Sequence, residues 1–503
     1  MGNRIRSAIL VAGLLLAAAC TGSDGDDGGQ AVLPTSVADG DATAERSVAA
    51  GLVGEPGSID ELEAVWAESR LAVITKLRVG DYGVNDDGFL IGPGDFTVDL
   101  TRCPRNWTDE PAPSDGIVIG HAAGLADYGP LVEGIRAYFD HVNDGGGIHG
   151  RLISYEVVDD QLIPTKTIEA VDDWVESQIP LAVSTFSTPT SQAVYDQLNE
   201  QCIPQPFVGS AHPAWGDPRR HPWTTGLQLS YATEAILWGN WIKRNLAPQL
   251  PVKVVGLVIG NDYGRAYEAA FSRWATANRD VVDEFITVSH EPGTAGVDDE
   301  MAEVVAADPD VFVALTAGSG CESAIANSET SGLNDAVAAS FVPTACTNPT
   351  RFFIPAERAG QGYLAVDGGL KATNDPVYQD DVFVEFINGI LSDAGIEDET
   401  GLAGIGAGQY AWTYVEALRI AAELEGGLTR TNLLLAVRNL ELRHPMVLAG
   451  ITFAAEGADD AFFIEGARMS RYSAGTATWE PETLVVDLNR ATPNCTWDGS
   501  DCS

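Results

Sequence analysis

The sequence predicts an α/β fold built on parallel sheets, and three observations carry that prediction. Residues 115–160 read as a complete strand–helix–strand unit. The same alternation of short apolar runs and amphipathic stretches continues to residue 342. Near residues 228–231 the pattern restarts, and at 503 residues the chain is long enough for two lobes, each with its own core.

The opening unit sets the frame. An alternating apolar run over 117–119 makes a short buried strand. A turn holding Gly124 and Gly129 follows, with Pro130 where a first helical residue is expected. Leu131, Ile135, Tyr138, Phe139 and Val142 then fall at i, i+4, i+7, i+8 and i+11, one face of an amphipathic helix. Gly145, Gly146 and Gly147 stop it, and residues 152–158 make the second strand. Such a unit implies a parallel sheet with a right-handed crossover. Its first turn lies at the carboxyl edge of the sheet, where open α/β folds bind ligands.

The turn ending in Tyr128 and Gly129, the stretch EGIRAYFDHVNDGGGIHGRLISYEVV, and the paired Asp159 and Asp160 also resemble a known family. Their order and spacing are similar to the first unit of type I periplasmic solute-binding proteins of ABC importers, in the leucine/isoleucine/valine- and amide-binding group. The resemblance implies two Rossmann-like lobes with parallel sheets, joined by three crossovers. It extends to GQYAWTYVEALRIAAEL, which is similar to a late helix of the family, and to closing strands after Met446, so that it covers 115–488.

Ahead of the match, Arg4 and Arg6, an apolar run over 9–16, and Ala17, Ala18, Ala19 and Cys20 resemble a bacterial lipoprotein signal peptide over 1–20. Cys20 would become the lipidated first residue. Ala17 stands where that pattern prefers Leu, and ordinary cleavage beside a bystander Cys20 is the alternative. No other apolar run approaches the roughly 20 residues that cross a bilayer. The expected location is therefore outside the cytoplasm, lipid-anchored to the outer face of the cell membrane or in the periplasm. Residues 21–45, poor in large apolar side chains, read as a flexible linker.

Charge narrows the partners. Lys+Arg of 29 against Asp+Glu of 72 gives 29 − 72 = −43, which disfavours nucleic acid and anionic membrane faces. Removing Cys20 from the seven cysteines leaves six, an even number that suggests disulfides in an exported chain. Cys495–Cys502 is favoured as a short terminal loop, and Cys321–Cys346 across one helix between adjacent strands. Cys103–Cys202 then follows by elimination.

Along the chain, residues 46–114 read as an N-terminal appendage, a helix from Asp60 to Val79 and then a hairpin, packed on the first lobe with Cys103 as its staple. Helices are expected over 165–177, 192–201, 232–246, 265–278, 297–307 and 322–332, and strands over 181–184, 206–209, 253–259, 282–288, 311–315 and 338–342. The chain is expected to return to the first lobe at 363, through a strand over 363–366 and helices over 376–392, 408–425 and 430–439. The lobes would then comprise 115–229 with 363–457 and 230–362 with 458–488, followed by a tail over 489–503.

The loops at the carboxyl ends of these strands supply the candidate site. In the family a hydroxyl-bearing loop ahead of a helix binds the ligand's carboxylate or amide, and Ser187, Thr188 and Ser210, with Ala211 and His212 beside it, match those places. Ser187 and Thr188 also suit capping of the helix behind them. Tyr128 and Tyr263 match tyrosines that close over the ligand from opposite lobes. Phe186 could add apolar wall, or simply pack. Amino-acid binders carry an acid in a second-lobe turn, yet residues 342–346 hold none. Asp262 or Glu322 could substitute, although Glu322 also suits the first turn of its own helix. An α-amino-acid ligand is thereby disfavoured.

Signals for catalysis are thin. Neither a G-x-S-x-G elbow nor a phosphate loop is present, and the seven histidines show no zinc-ligand spacing. No catalytic residue, metal or cofactor is expected. The sequence thus predicts a binding protein for a small, amino-acid- or amide-like ligand, delivering it to ABC permease transmembrane subunits. A sensor module signalling to a separate partner, and a cleft hydrolase, are the rival readings.

Overall fold

The computed structural model describes residues 56–111 and 116–502. The expected signal peptide, Cys20 and the linker over 21–45 lie outside these residues. Among the described residues no helix is long and apolar enough to cross a membrane.

The chain enters through α1 (Ile59–Val79), capped at its start by Ser58, whose Oγ accepts from Glu61 N. A small antiparallel sheet follows, made of β1 (Gly83–Val84), β2 (Phe89–Gly92) and β3 (Phe96–Asp99). Both pack on the first lobe. Trp66 inserts its ring edge-on against Phe383 and Trp412, at 5.6 and 5.2 Å. Arg70 reaches the fully buried Glu416 carboxylate at 2.7 Å. Cys103–Cys202 closes the appendage onto this lobe.

The first lobe is built on β4 (Gly116–Ala123), α2 (Leu125–Asp144), β5 (Leu152–Asp159), α3 (Pro164–Ser177), β6 (Ala182–Thr185), α4 (Thr188–Glu200), β7 (Gln205–Val208) and β8 (Thr224–Gly226). The strands β5, β4 and β6 pair in parallel, as do β7 and β8. A parallel bridge between Phe186 and Gly209 joins the two groups. Helix α2 begins earlier than the Pro130 signal suggests. Gly124 has no capping side chain, but Asp159 at the end of β5 accepts from Leu125 N at 3.0 Å and caps the helix from outside. Helix α4 likewise begins at Thr188, so half of the expected hydroxyl loop forms its first turn.

The second lobe starts with α5 (Tyr231–Asn245) and continues through β9 (Val252–Ile259), α6 (Asp262–Ala277), β10 (Val282–His290), α7 (Asp298–Ala306), β11 (Val311–Leu315), α8 (Ser319–Thr330), α9 (Leu333–Ala336), β12 (Ala339–Phe341) and β13 (Leu364–Val366). The chain then runs through α10 (Val382–Asp393), α11 (Leu402–Gly404), a π-helical segment (Ile405–Ala411), α12 (Trp412–Glu423) and α13 (Arg430–Val437). It closes with β14 (Gly466–Ala467), β15 (Met469–Ser473), β16 (Thr478–Pro481) and β17 (Val486–Asp487). The main sheet has the order β10-β9-β11-β12-β13-β15-β16, parallel up to β13 and antiparallel beyond it.

One expectation is corrected here. Residues 363–366 do not begin the return to the first lobe, because Leu364 pairs with Phe341 and the strand is internal to the second sheet. The turn away follows Val366. There Arg468 N donates to Asp367 Oδ1 at 3.0 Å and the Arg468 guanidinium pairs with the other oxygen, tying two connecting segments together. The other two disulfides are Cys321–Cys346 and Cys495–Cys502. The C-terminal loop touches both lobes. Cys495 N donates to Gly216 O and Trp497 packs on His212 in the first, while Thr492 bonds Thr233 and Asp501 pairs with Arg273 in the second.

Candidate ligand-binding cleft

Where the two lobes meet, side chains from both sheets converge at the carboxyl ends of their strands. Thr188 at the start of α4 and Ser210 after β7 share a hydrogen bond of 2.7 Å, and the Tyr231 hydroxyl approaches Thr188 at 3.3 Å and Ser210 at 3.5 Å. Thr188, Ser210 and Tyr231 are all buried. Helix α4 carries neither a side-chain cap nor an acidic residue in its first turn, so the positive end of its dipole is uncompensated. Ser187 holds the cap position, but its hydroxyl bonds Thr190 Oγ1 at 2.8 Å and leaves the backbone N–H groups of the turn uncapped.

Aromatic rings surround these hydroxyls. Tyr231 packs against Tyr263 and Tyr267 of α6, with centroids 5.0 and 4.2 Å away. From the first lobe, Tyr128 meets Phe186 at 4.6 Å, and Phe186 meets Tyr410 at 5.4 Å. Burial raises the pKa of Tyr128 to about 12, with Tyr231 and Asp127 adding to the effect. Burial likewise pushes Tyr231, Tyr263 and Tyr410 up, and Tyr231 adds to the rise at the last two. All four phenols remain neutral hydrogen-bonding groups. At the rim, Arg351 of the second lobe pairs with Asp127 of the first at 3.4 Å.

The remaining expected residues are distributed differently. Ala211 is buried and its carbonyl accepts from Tyr231 N at 3.0 Å, which links the loop to α5. His212 is fully buried on the side of the C-terminal tail. Its Nδ1 accepts from Ala214 N, and its ring contacts Trp215 and Trp497. Asp262 sits in the first turn of α6 and pairs with Arg265 at 2.7 Å. Glu322 is exposed on α8, outside the aromatic cluster.

Sequence reasoning missed Tyr231, Tyr410 and Glu234. Tyr231 was legible only as the restart of the pattern, and Tyr410 depends on a π-helical turn that no periodicity announces. Glu234 answers the question of the absent acid. From α5 it reaches the turn after β12, where its Oε1 accepts from Thr344 N at 2.8 Å and Thr344 Oγ1 at 3.0 Å, while Oε2 accepts from Tyr267 at 2.5 Å. Burial raises its pKa to about 7 against these bonds.

The fold and this convergence define a two-lobed binding protein, and the comparisons agree. Residues 120–475 match the family model for periplasmic binding proteins, so the chain belongs to that solute-binding family, with the type I fold. The family implies an extracytoplasmic location and a small-molecule ligand. No curated protein matches the chain by sequence. Among solved structures, it is similar to a fatty acid ABC transporter substrate-binding protein from Thermomonospora curvata, with 17% identity, TM-score 0.64, and coverage of 76% of this chain and 95% of that one. A branched chain amino acid ABC transporter protein from Thermus thermophilus with bound valine matches at 16% identity and TM-score 0.64, covering 74% and 96%. A solute binding protein from R. palustris in complex with benzoate matches at 18% identity and TM-score 0.58, covering 77% and 99%.

Proposed function

We propose that the chain is the binding protein of an ABC importer, which captures a small ligand bearing a carboxylate or amide between its lobes and delivers it to membrane permease subunits. The observation that carries this reading is the gathering of Tyr128, Tyr263 and Tyr410, from both lobes, around Tyr231, whose hydroxyl meets those of Thr188 and Ser210. Neutral donors beside an uncapped helix start suit a carboxylate or amide oxygen. Fatty acids, valine and benzoate, bound by similar folds, all carry a carboxylate. A free α-amine is disfavoured, because Glu234 already receives three donors, which leaves one lone-pair position on Oε2 for an ammonium group.

The test is calorimetric titration of the full chain with benzoate, benzamide, octanoate and valine, followed by Thr188→Val and Tyr263→Phe. A hydrogen bond to a charged group contributes about 1.5–3 kcal/mol, so each variant should lose roughly ten- to hundred-fold in affinity for the compound that binds. Equal affinity in both variants would remove the cleft from this role. Export with a lipid on Cys20 belongs to the same reading, on the strength of the segment ending in Ala17, Ala18, Ala19 and Cys20. Cys20→Ser should leave the membrane fraction or stay unprocessed, and identical partitioning with no lipid mass would discard the anchor.

A further inference from the structure

Behind the cleft, inside the first lobe, a partly enclosed space of about 10 Å3 lies between β4, β6, α2 and the π-helical turn, room for one water molecule. Ile119, Ile135 and Phe139 make its apolar wall, and His121, Tyr155 and Ser184 its polar side. His121 is 2% exposed, and its Nε2 has no hydrogen-bond partner among the described residues. Its Nδ1 meets the Tyr155 hydroxyl, which has no second hydrogen bond among the described residues. A phenol with one partner is best satisfied by donating to it. The imidazole proton then stays on Nε2, a buried and unpartnered donor on a residue that lines this space.

Phe186 stands between His121 of this space and Tyr128 of the cleft, and Tyr410 borders both. The Phe186 ring lies 6.0 Å from His121 on the inner side and 4.6 Å from Tyr128 on the outer side. It rests on Gly209, where a Cβ would come within 2.2 Å of the ring. The following residue, Ser187, has φ 79°, in the left-handed region that residues with side chains seldom adopt. Such strain gathers at clamps and switches rather than at ordinary packing positions.

We propose that this space is an inner compartment of the ligand site, partitioned from the cleft by Phe186, which receives the apolar end of the ligand and offers His121 Nε2–H to an uncharged acceptor oxygen there. The proposal rests on the cleft reading given above. With the Phe186 ring in place the compartment takes a water, and displacing the ring opens room for a phenyl or short alkyl group. Burial lowers the His121 pKa to about 3, so the imidazole is neutral at physiological pH and suits an ether, hydroxyl or carbonyl rather than an anion.

The two readings separate with three probes on the full chain. Anisole is neutral and probes the compartment without a carboxylate, benzoate probes the cleft without an acceptor for His121, and 4-methoxybenzoate carries both groups. Anisole should shift the 15N resonance of His121 Nε2 in the wild type, bind more tightly to Phe186→Leu, and weaken at least tenfold in His121→Leu. His121→Gln, which keeps a donor, should recover part of that loss. 4-Methoxybenzoate should bind at least tenfold more tightly than benzoate, an advantage that His121→Leu abolishes while leaving benzoate unchanged. If anisole leaves His121 unmoved in both the wild type and Phe186→Leu, the space houses a structural water and the proposal is overturned. Benzoate and 4-methoxybenzoate of equal affinity would also overturn it while sparing the cleft. Entry of anisole with no binding of either carboxylate would uphold the compartment and discard the carboxylate reading instead.

Discussion

Glu234 shows how a single residue can fix a property of the whole chain. Its carboxyl is 1% exposed and its pKa is raised from 4.5 to about 7, mainly by burial. Between those values the folded state keeps a proton that the unfolded state releases. Its contribution is therefore full below about 4.5 and is lost as pH rises toward 7. Buried His212 and His444 act in the opposite sense, because both are held near 3, and what they contribute is lost as pH falls below the ordinary 6.5. A wild-type curve mixes the two slopes, so the informative quantity is a difference. The melting temperature of Glu234→Gln minus that of the wild type should rise steadily from pH 5 to pH 7. A flat difference would mean that this carboxyl does not titrate in that window. Nothing in the sequence announces the residue, since its partner Thr344 is 110 positions away and the contact exists only once two elements are packed.

At the scale of elements, the alternation of apolar runs and amphipathic stretches was sufficient to read nearly every strand and helix, because the central strands are short apolar runs buried on both faces and most helices bury one face. The starts of helices were less legible. The cap of α2 comes from Asp159 on the next strand, and a long-range cap leaves no local mark. The glycines at 404, 406 and 408 read in the sequence only as a weak dinucleotide-type loop with no convincing strand before it. In the structure a Cβ at Gly406 would come within 2.1 Å of Leu131 O, so the glycine allows the π-helical turn to lie against α2 and present Tyr410. The appendage helix α1 acts as a brace. Trp66 is 3% exposed, stacks edge-on against two aromatic rings and donates its Nε1–H to Arg443 O at 3.2 Å. Replacing such a residue with Ala costs about 3–5 kcal/mol. Trp66→Ala should therefore lower the melting temperature by several degrees while leaving ligand affinity within about twofold. A change in affinity with unchanged stability would assign α1 a part in binding.

At the scale of the molecule, the two-lobed plan was legible from the restart of the pattern near 228–231 and from the resemblance of the opening unit. The place where the chain leaves the second lobe was not, because a three-residue buried strand such as β13 reads the same in either sheet. The disulfides have a consequence for biogenesis. Each joins a cysteine to the next one along the sequence, from Cys103 onward. A polypeptide that crosses a membrane from its N-terminus would thus deliver its thiols to an oxidising compartment already in matching order, and oxidation alone would suffice without a shuffling catalyst. Cys20 is the one thiol that breaks the order. Arriving first and left free, it would take Cys103 as its partner and displace every later pairing by one place. A lipid on Cys20 would then guard the register of all three bonds. Export of the unlipidated chain into an oxidising compartment should yield Cys20–Cys103 peptides that are absent from Cys20→Ser, and identical peptide maps would show that order of arrival does not govern the pairing.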